Sequence, residues 1–402
     1  MWGLPRHQGE EPLCSRRRLC IAMGVVAAAL LSACTTSNNQ FLTPAPSKPA
    51  EQPAANIGTG QIRVGLILPL SAPGNAGVAA QSMKNAAELA LDEFKNPNIQ
   101  LLVKDDGGTT QAAEAAARQA ISEGAEIIIG PLFAQSVRAV GQVARQSNIP
   151  VIAFSTDASV AAPGVYLLSF LPESDVKRIV GFAISRGKHS FAALMPDNAY
   201  GSVVQAAFQQ EMGRHHARVV VLEKYPSDPG QMAQKVQNVA QVANQIDSIF
   251  IPDGADTVPK VVQLLAADHV NLKRVQLLGT GLWDDRAIFA DPALADGWYA
   301  APESTGFRNF SNRYHARFGQ DPVRTATLAY DAVALVAALV KTQGPQRFSQ
   351  TVLTNSSGFS GIDGIFRFRA DGTNERGLAV LRVTPNGGQV ISPAPRAFRP
   401  GT

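Results

Sequence analysis

From Gln61 onward the chain switches repeatedly between a period of two and a period near 3.6. Ile62, Val64, Leu66, Ile67 and Leu68 read as a strand, ended by Pro69 and the turn Ser71-Ala72-Pro73-Gly74. Met83, Ala87, Ala90 or Leu91, and Phe94 then share one helical face. Ile99 to Val103 is the next strand, Asp105 to Gly108 its turn, and the alanine-rich Gln111 to Glu123 a helix by propensity. Gly124 stops that helix before the strand Glu126 to Ile129; Val137 to Gln146 is helical and Ile149 to Phe154 is again a strand. Strands and helices alternating at this spacing predict an α/β fold of parallel layers joined by crossovers.

A second series starts near Lys188. Strands are expected at Ser190–Leu194, Arg218–Glu223, Ile249–Pro252 and Val275–Leu278, and helices at Tyr200–Gly213, Gly230–Asn244 and Val258–Ala267. A long helix is expected over Pro322 to Val340. Short strands are expected at Ile365–Phe368 and Ala379–Val383, punctuated by Gly361, Gly364, Asp371 and Gly372, and alternation in the last of these suggests a β-hairpin. Two α/β lobes followed by a late helix and a hairpin fit a chain that passes between its lobes more than once.

The first 34 residues change the picture of where this body works. Arg16, Arg17 and Arg18 precede an apolar run from Leu19 to Leu30, followed by Leu31-Ser32-Ala33-Cys34. A basic stretch, a short apolar core and small residues form an export signal, too short for a comfortable permanent span. Its ending resembles the bacterial lipoprotein signal, which implies removal of residues 1–33, acylation of Cys34 and a membrane anchor. Thr35 in place of Asp implies, by the enteric sorting rule, the periplasmic face of the outer membrane over the inner membrane. Residues 34–60, rich in Pro, Ala, Ser and Asn, read as a flexible tether.

Charge then removes several classes. The chain carries +4; the leader holds Arg6, Arg16, Arg17 and Arg18 against Glu10 and Glu11, so the remainder carries +2. A body so nearly neutral, without a Lys/Arg cluster, offers nothing to nucleic acid. Cys14 and Cys20 fall in the leader and Cys34 is the lipidation candidate, so no cysteine remains for a disulfide, a nucleophile or zinc. His189, His215, His216, His269 and His315 form no triad or metal set, and Asp105-Asp106 reads as a capped turn. Neither enzyme activity nor a cofactor or metal is expected.

Several phrases carry a family resemblance: Val64 to Ser71, Ile128-Ile129-Gly130-Pro131, Ile149-Pro150-Val151-Ile152, Asp197-Asn198-Ala199-Tyr200-Gly201 and Ala329-Tyr330-Asp331-Ala332-Val333. In this order and spacing the chain resembles the type I periplasmic binding proteins of the leucine/isoleucine/valine-binding class over residues 61–392. The resemblance implies two Rossmann-like lobes, three crossings and a ligand cleft. The implied first lobe is 61–171 plus 303–345 and the second 172–302 plus 346–392, with 393–402 as a C-terminal tail.

Ligands of open α/β sheets sit beyond the carboxyl ends of the strands. The loops there supply the candidates: Ser71; Gln135 and Ser136, at a helix start whose free amides suit an anion; and Ser155, Thr156 and Asp157. From the second half come Tyr200, Asp253, Asp256 and Trp283. For the 135–136 and 155–157 loops, simple helix capping is an equal reading. In amino-acid receptors these two loops hold the ligand carboxylate. The resemblance implies two ammonium partners: a tyrosine or acid, for which Asp253 or Asp256 substitutes here, and a glutamate from the next loop, which falls at about Gly281. That loss leaves a buried ammonium unpaired and speaks against amino-acid binding. Trp283 with Asp284 suits either a sugar or peptide, or lobe packing.

Two functions follow as expectations. The anchor, the tether and the altered pocket resemble the penicillin-binding-protein activators, lipoproteins that stimulate bifunctional peptidoglycan synthases by contact. The end segment Gly361 to Phe368, with Asp371-Gly372 and Arg376 to Val383, fits both these and ordinary receptors. The alternative is the substrate-binding receptor of an ABC permease for branched-chain amino acids, amides or related solutes. A small polar ligand or a peptidoglycan fragment occupies the cleft in one case or the other.

Overall fold

The structure, a computed structural model, describes residues 56–398. The export signal, Cys34 and most of the tether lie outside the described residues. The last residues assigned to the tether are ordered differently from expectation: Ile57 exchanges backbone hydrogen bonds with Leu101 (3.1 and 2.8 Å) and packs on the core.

The first lobe opens with β1 (Ile62–Leu68), α1 (Asn75–Glu93), β2 (Ile99–Asp105), α2 (Thr110–Ser122), β3 (Ile127–Ile129), α3 (Ala134–Gln146), β4 (Val151–Ala153) and β5 (Val165–Leu167). These strands form one five-stranded sheet in the order β2-β1-β3-β4-β5, parallel throughout. The chain leaves it for α4 (Pro172–Ser185), β6 (Ser190–Pro196), α5 (Ala199–His215), β7 (Arg218–Tyr225), α6 (Pro229–Gln241), β8 (Ser248–Phe250), α7 (Val258–Ala267), β9 (Gln276–Gly279), α8 (Arg286–Ala290) and β10 (Trp298–Ala301). It returns as α9 (Ser304–Phe318), α10 (Ala326–Thr342), α11 (Gln350–Leu353), β11 (Phe359–Gly361), β12 (Gly364–Phe368) and β13 (Asn374–Arg376). It crosses a third time into the hairpin β14 (Ala379–Thr384) and β15 (Gly387–Ser392). The second sheet runs β15-β14-β10-β9-β8-β6-β7, its last two strands in the chain being antiparallel additions. A small antiparallel sheet β11-β12-β13 stands at the hinge.

Period-two patterning explains why both sheets are covered on two faces. In β1, Val64, Leu66 and Leu68 enter one core while Ile67 enters another on the opposite face. In β6, Ala192 and Leu194 face one core and Phe191, Ala193 and Met195 the other. Helices fill both sides of each sheet, which is the layered arrangement expected from the alternation.

Two expectations are corrected. The segment from 346 to 376 belongs to the first lobe, because Leu353, Phe366 and Phe368 are buried in its core. The second lobe is rejoined only after Arg376. The late helix begins at Ala326 and not at Pro322. Residues 322–325 are held in a turn by Val323 N–H donating to Ser82 Oγ (3.1 Å), which leaves Arg324 placed to pair with Asp363.

Candidate functional site

The crossings determine where a ligand can sit. The chain leaves the first sheet at the carboxyl end of β5 and the second at the carboxyl end of β10, so both carboxyl edges lie at the hinge. In each sheet the strand order also reverses beside its first strand, at β1/β3 and at β6/β8. Such reversals open crevices between neighbouring loops.

On the first lobe the loops are tied to one another. Ser71 is exposed, and its amide donates to both carboxylate oxygens of Asp105 (3.2 and 3.1 Å); Gly107 N–H donates to the same group (2.9 Å). Gly130, at φ +91°, starts the loop after β3, where a Cβ would stand 2.0 Å from Ile67 O. Only glycine fits that contact. The peptide that follows, Gly130–Pro131, is cis. No side chain caps α3 at Phe133, so its first-turn amides have no capping partner. Gln135 is exposed, with Nε2 donating to Gly108 O (3.3 Å). Ser136 is different: it is 0 % exposed, and its hydroxyl lies beside the buried Asp106 carboxyl. Burial pushes Asp106 up, while Gly108 N–H and the Ser136 hydroxyl hold it down. The expected outward role for Ser136 is therefore replaced by an inward one.

After β4, Ser155 is 4 % exposed, its Oγ accepting from Asp157 N–H (3.1 Å) and its carbonyl from the Ser169 hydroxyl (2.8 Å). Asp157 caps a short 3-10 turn through Ser159 N–H (2.9 Å) and stands 3.5 Å from Arg138. Its hydrogen bonds with Ser159 lead the effects that hold its carboxyl below the usual range. Thr156 is left exposed between them. Capping thus accounts for Ser155 and Asp157, whereas Ser71, Gln135 and Thr156 remain available at the edge.

On the second lobe, Tyr200 in the first turn of α5 shares a hydrogen bond with Thr280 Oγ1 (3.0 Å), and burial pushes its phenol up. Asp253 accepts from Tyr225 O–H (2.8 Å) and from Gly254 N–H (2.7 Å). Asp253 and the exposed Asp256 line a groove of about 710 Å³ with Asp197, Asn198, Tyr225 and Lys260, at the carboxyl ends of β6, β7 and β8. Trp283 is not among its walls. It is 0 % exposed in the second-lobe core, its indole N–H donating to Ile251 O (3.0 Å). Of the two roles open to it, packing is the one it fills.

Four groups were not singled out from sequence. Asp175, in the first turn of α4, accepts from Gly281 N–H (2.9 Å), and a Cβ at Gly281 would lie 3.2 Å from its Oδ2. A carboxyl therefore stands beside position 281 after all, contributed by a different element; burial raises it to about 7. At the hinge, Arg324 forms a fork on Asp363 (3.0 and 2.6 Å) and lies over the rings of Phe170 and Phe307. Arg376 is 6 % exposed beside Phe170 and Phe366. The available signals were local: Pro172 followed by Glu173 and Asp175 is a helix-start pattern. Nothing local announces that Asp175 meets Gly281. Among the described residues no His/Cys/Asp/Glu group is placed to hold a metal, and no helix is long and apolar enough to cross a membrane.

With this geometry in place, the comparisons agree. The family described as periplasmic binding protein matches residues 61–389. A curated relative, an uncharacterised protein of Rickettsia prowazekii (strain Madrid E), is 20% identical over 335 residues, spanning 80% of this chain and 86% of the relative. A Rhodospirillum rubrum structure provisionally assigned to branched-chain amino acid ABC transport has TM-score 0.73 and 19% identity, covering 82% of this chain and 99% of that one. A solute-binding protein from Rhodopseudomonas palustris BisB5 in complex with 3,4-dihydroxybenzoic acid has TM-score 0.61 and 20% identity, covering 85% and 99%. The LivJ protein of Streptococcus pneumoniae with isoleucine has TM-score 0.57 and 17% identity, covering 83% and 99%. By its sequence match over residues 61–389 the chain belongs to the periplasmic binding protein family, and its two-lobed, thrice-crossed α/β fold is the type I fold of that family.

Proposed function

We propose that this protein is the extracytoplasmic receptor of an ABC importer, taking a small solute with a carboxylate between its lobes. The observation that supports this best is the meeting of two loop-bearing carboxyl edges at one hinge, in a chain that matches the family over residues 61–389. In this reading the uncapped start of α3, with Ser71, Gln135 and Thr156, receives the carboxylate, since free amides and hydroxyls there attract anions. Tyr200 and Asp253 are the second lobe's contributions in this reading, and Asp175, which accepts Gly281 N–H, is an acid beside the position where the resemblance expected a glutamate. Relatives solved with isoleucine and with aromatic acids define the solute classes to try first. A thermal-shift titration of the full chain with leucine, isoleucine, valine, benzoate and 3,4-dihydroxybenzoate tests the reading. At least one solute should raise Tm saturably, and Thr156→Ala should weaken that response about tenfold, the equivalent of ~1.4 kcal/mol. No response to any solute would count against it.

A second reading keeps the protein at the cell wall, anchored through acylated Cys34 and acting on a bifunctional peptidoglycan synthase. One observation favours it: Trp283 is absorbed into the core and Asp253 is already hydrogen-bonded twice, leaving fewer groups for a ligand. Labelled palmitate on Cys34, with co-purification of a synthase and no solute response, is the outcome this reading requires.

A further inference from the structure

We propose that residues 393–398 form a strap docked across the hinge, which restrains the movement of the two lobes. This goes beyond the receptor reading and holds whichever ligand or partner the protein takes.

The path of the segment carries the inference. β15 ends at Ser392 in the second lobe, where Arg178 of α4 holds it: Nη2 donates to Ser392 Oγ (2.7 Å), Ser392 O (3.3 Å) and Pro393 O (3.3 Å). The same guanidinium donates through Nε to Leu378 O (2.7 Å), on the third crossing. One residue further on, Ala394 N–H donates to Glu303 Oε1 (3.1 Å), on the second crossing. Pro395 packs on Gly377 of the third crossing, where a Cβ would meet its ring at 3.1 Å and its carbonyl at 3.2 Å. Phe398 then arrives on the first-lobe side. Its ring lies 4.5 Å from the Arg367 guanidinium of β12, and so close to Gly358 that a Cβ there would stand 2.8 Å away. Six residues thus touch both lobes and two of the three crossings. Pro393 and Pro395 fix φ at two positions and keep the segment extended.

The hinge beneath gives the strap something to restrain. Its interior is polar: both Nη atoms of Arg376, Asp331 Oδ2 and Asn374 Oδ1 are buried without a hydrogen-bond partner. Asn374 Nδ2 and Arg376 Nε do tie the third crossing's approach to Ser169 O on the first (2.9 Å each). The remaining atoms contribute no hydrogen bond to hold the hinge, so a restraint from outside it adds to what its interior supplies. A lobe rotation that changes the distance from Arg178 to Gly358 and Arg367 strains or undocks the strap.

Backbone hydrogen exchange, read by mass spectrometry on the full chain, tests this. Two variants are compared with the parent: a chain ending after Ser392, and Phe398→Ala. Amides of the crossings at 168–171, 302–304 and 377–379 should exchange several-fold faster in both variants, while β1 and β8 keep their parent rates. Unchanged exchange at the crossings would overturn the proposal. An equal rise in β1 and β8 would also overturn it, because the tail would then only add general stability.

Discussion

Asp331 shows how a single buried carboxyl sets a pH dependence. It is almost wholly buried, accepts Ile362 N–H (2.8 Å) and is raised to about 7, first by burial and then, against the help of that hydrogen bond, by the neighbouring Asp363. A raised acid binds its proton more tightly in the folded state than in the unfolded one. Its contribution to stability is therefore complete below its unfolded pKa and disappears as pH climbs through about 7. Asp175, also raised to about 7, acts in the same direction. Melting curves between pH 5 and 8 should show Tm falling less steeply for Asp331→Asn than for the parent; equal slopes would refute this. Trp283 supplies a second prediction at this scale. It packs so close to Gly279 that a Cβ would lie 2.1 Å from the ring. Gly279→Ala should cost ~2 kcal/mol by overpacking, read as a lowered urea midpoint. Sequence could not settle the direction of Trp283, because the room it occupies is made by Gly279 and Gly297, far apart in the chain. Ser136 escaped for a related reason: whether a hydroxyl at a helix start faces out or toward Asp106 depends on the neighbouring strand's loop.

At the scale of elements, the hinge sheet is joined to α10 and the turn before it through two carboxylates, Asp331, which accepts Ile362 N–H, and Asp363. Asp363 is buried and receives Arg324 and the Thr327 hydroxyl (2.6 Å). Asp363→Ala should destabilise the protein by ~2 kcal/mol, since it removes a charge-assisted fork from the half-exposed Arg324 and leaves the buried Thr327 hydroxyl without its carboxylate. The exposed pair Arg118–Glu114 on α2 is the control, and Glu114→Ala should cost below ~0.5 kcal/mol in the same denaturation experiment. Elements with clean patterns were legible: β1, β2, α2, α5 and α7 fall where alternation, alanine content and glycine stops put them. β5 (Val165–Leu167) was not read from sequence, although β3, β4 and β8, equally short, were. In α9, polar residues surround an aromatic stripe of Phe307, Phe310, Tyr314 and Phe318, and that stripe was the overlooked signal. The assignment of 346–376 failed because a hinge strand carries the same alternation whichever lobe it packs on; only burial of Phe366 and Phe368 decides it.

At the scale of the whole molecule, a parallel sheet and a mixed one are linked by three crossings at a hinge where several buried charged and polar atoms lack a hydrogen-bond partner. Such a hinge suits two lobes that shift relative to one another, and a ligand contacting both edges favours the closed arrangement by its differential affinity. The two-lobed plan was legible because order and spacing survive along the full chain, whereas the ligand was not, because its contacts converge from loops distant in sequence. In the proposed receptor the lobes close around a small solute, and the distance between nitroxides at Gln111 in the first lobe and Ala266 in the second, with Cys14, Cys20 and Cys34 replaced by serine, reports that closure. A solute that raises Tm should shorten and narrow this distance distribution. The same distribution with and without every such solute would contradict the account.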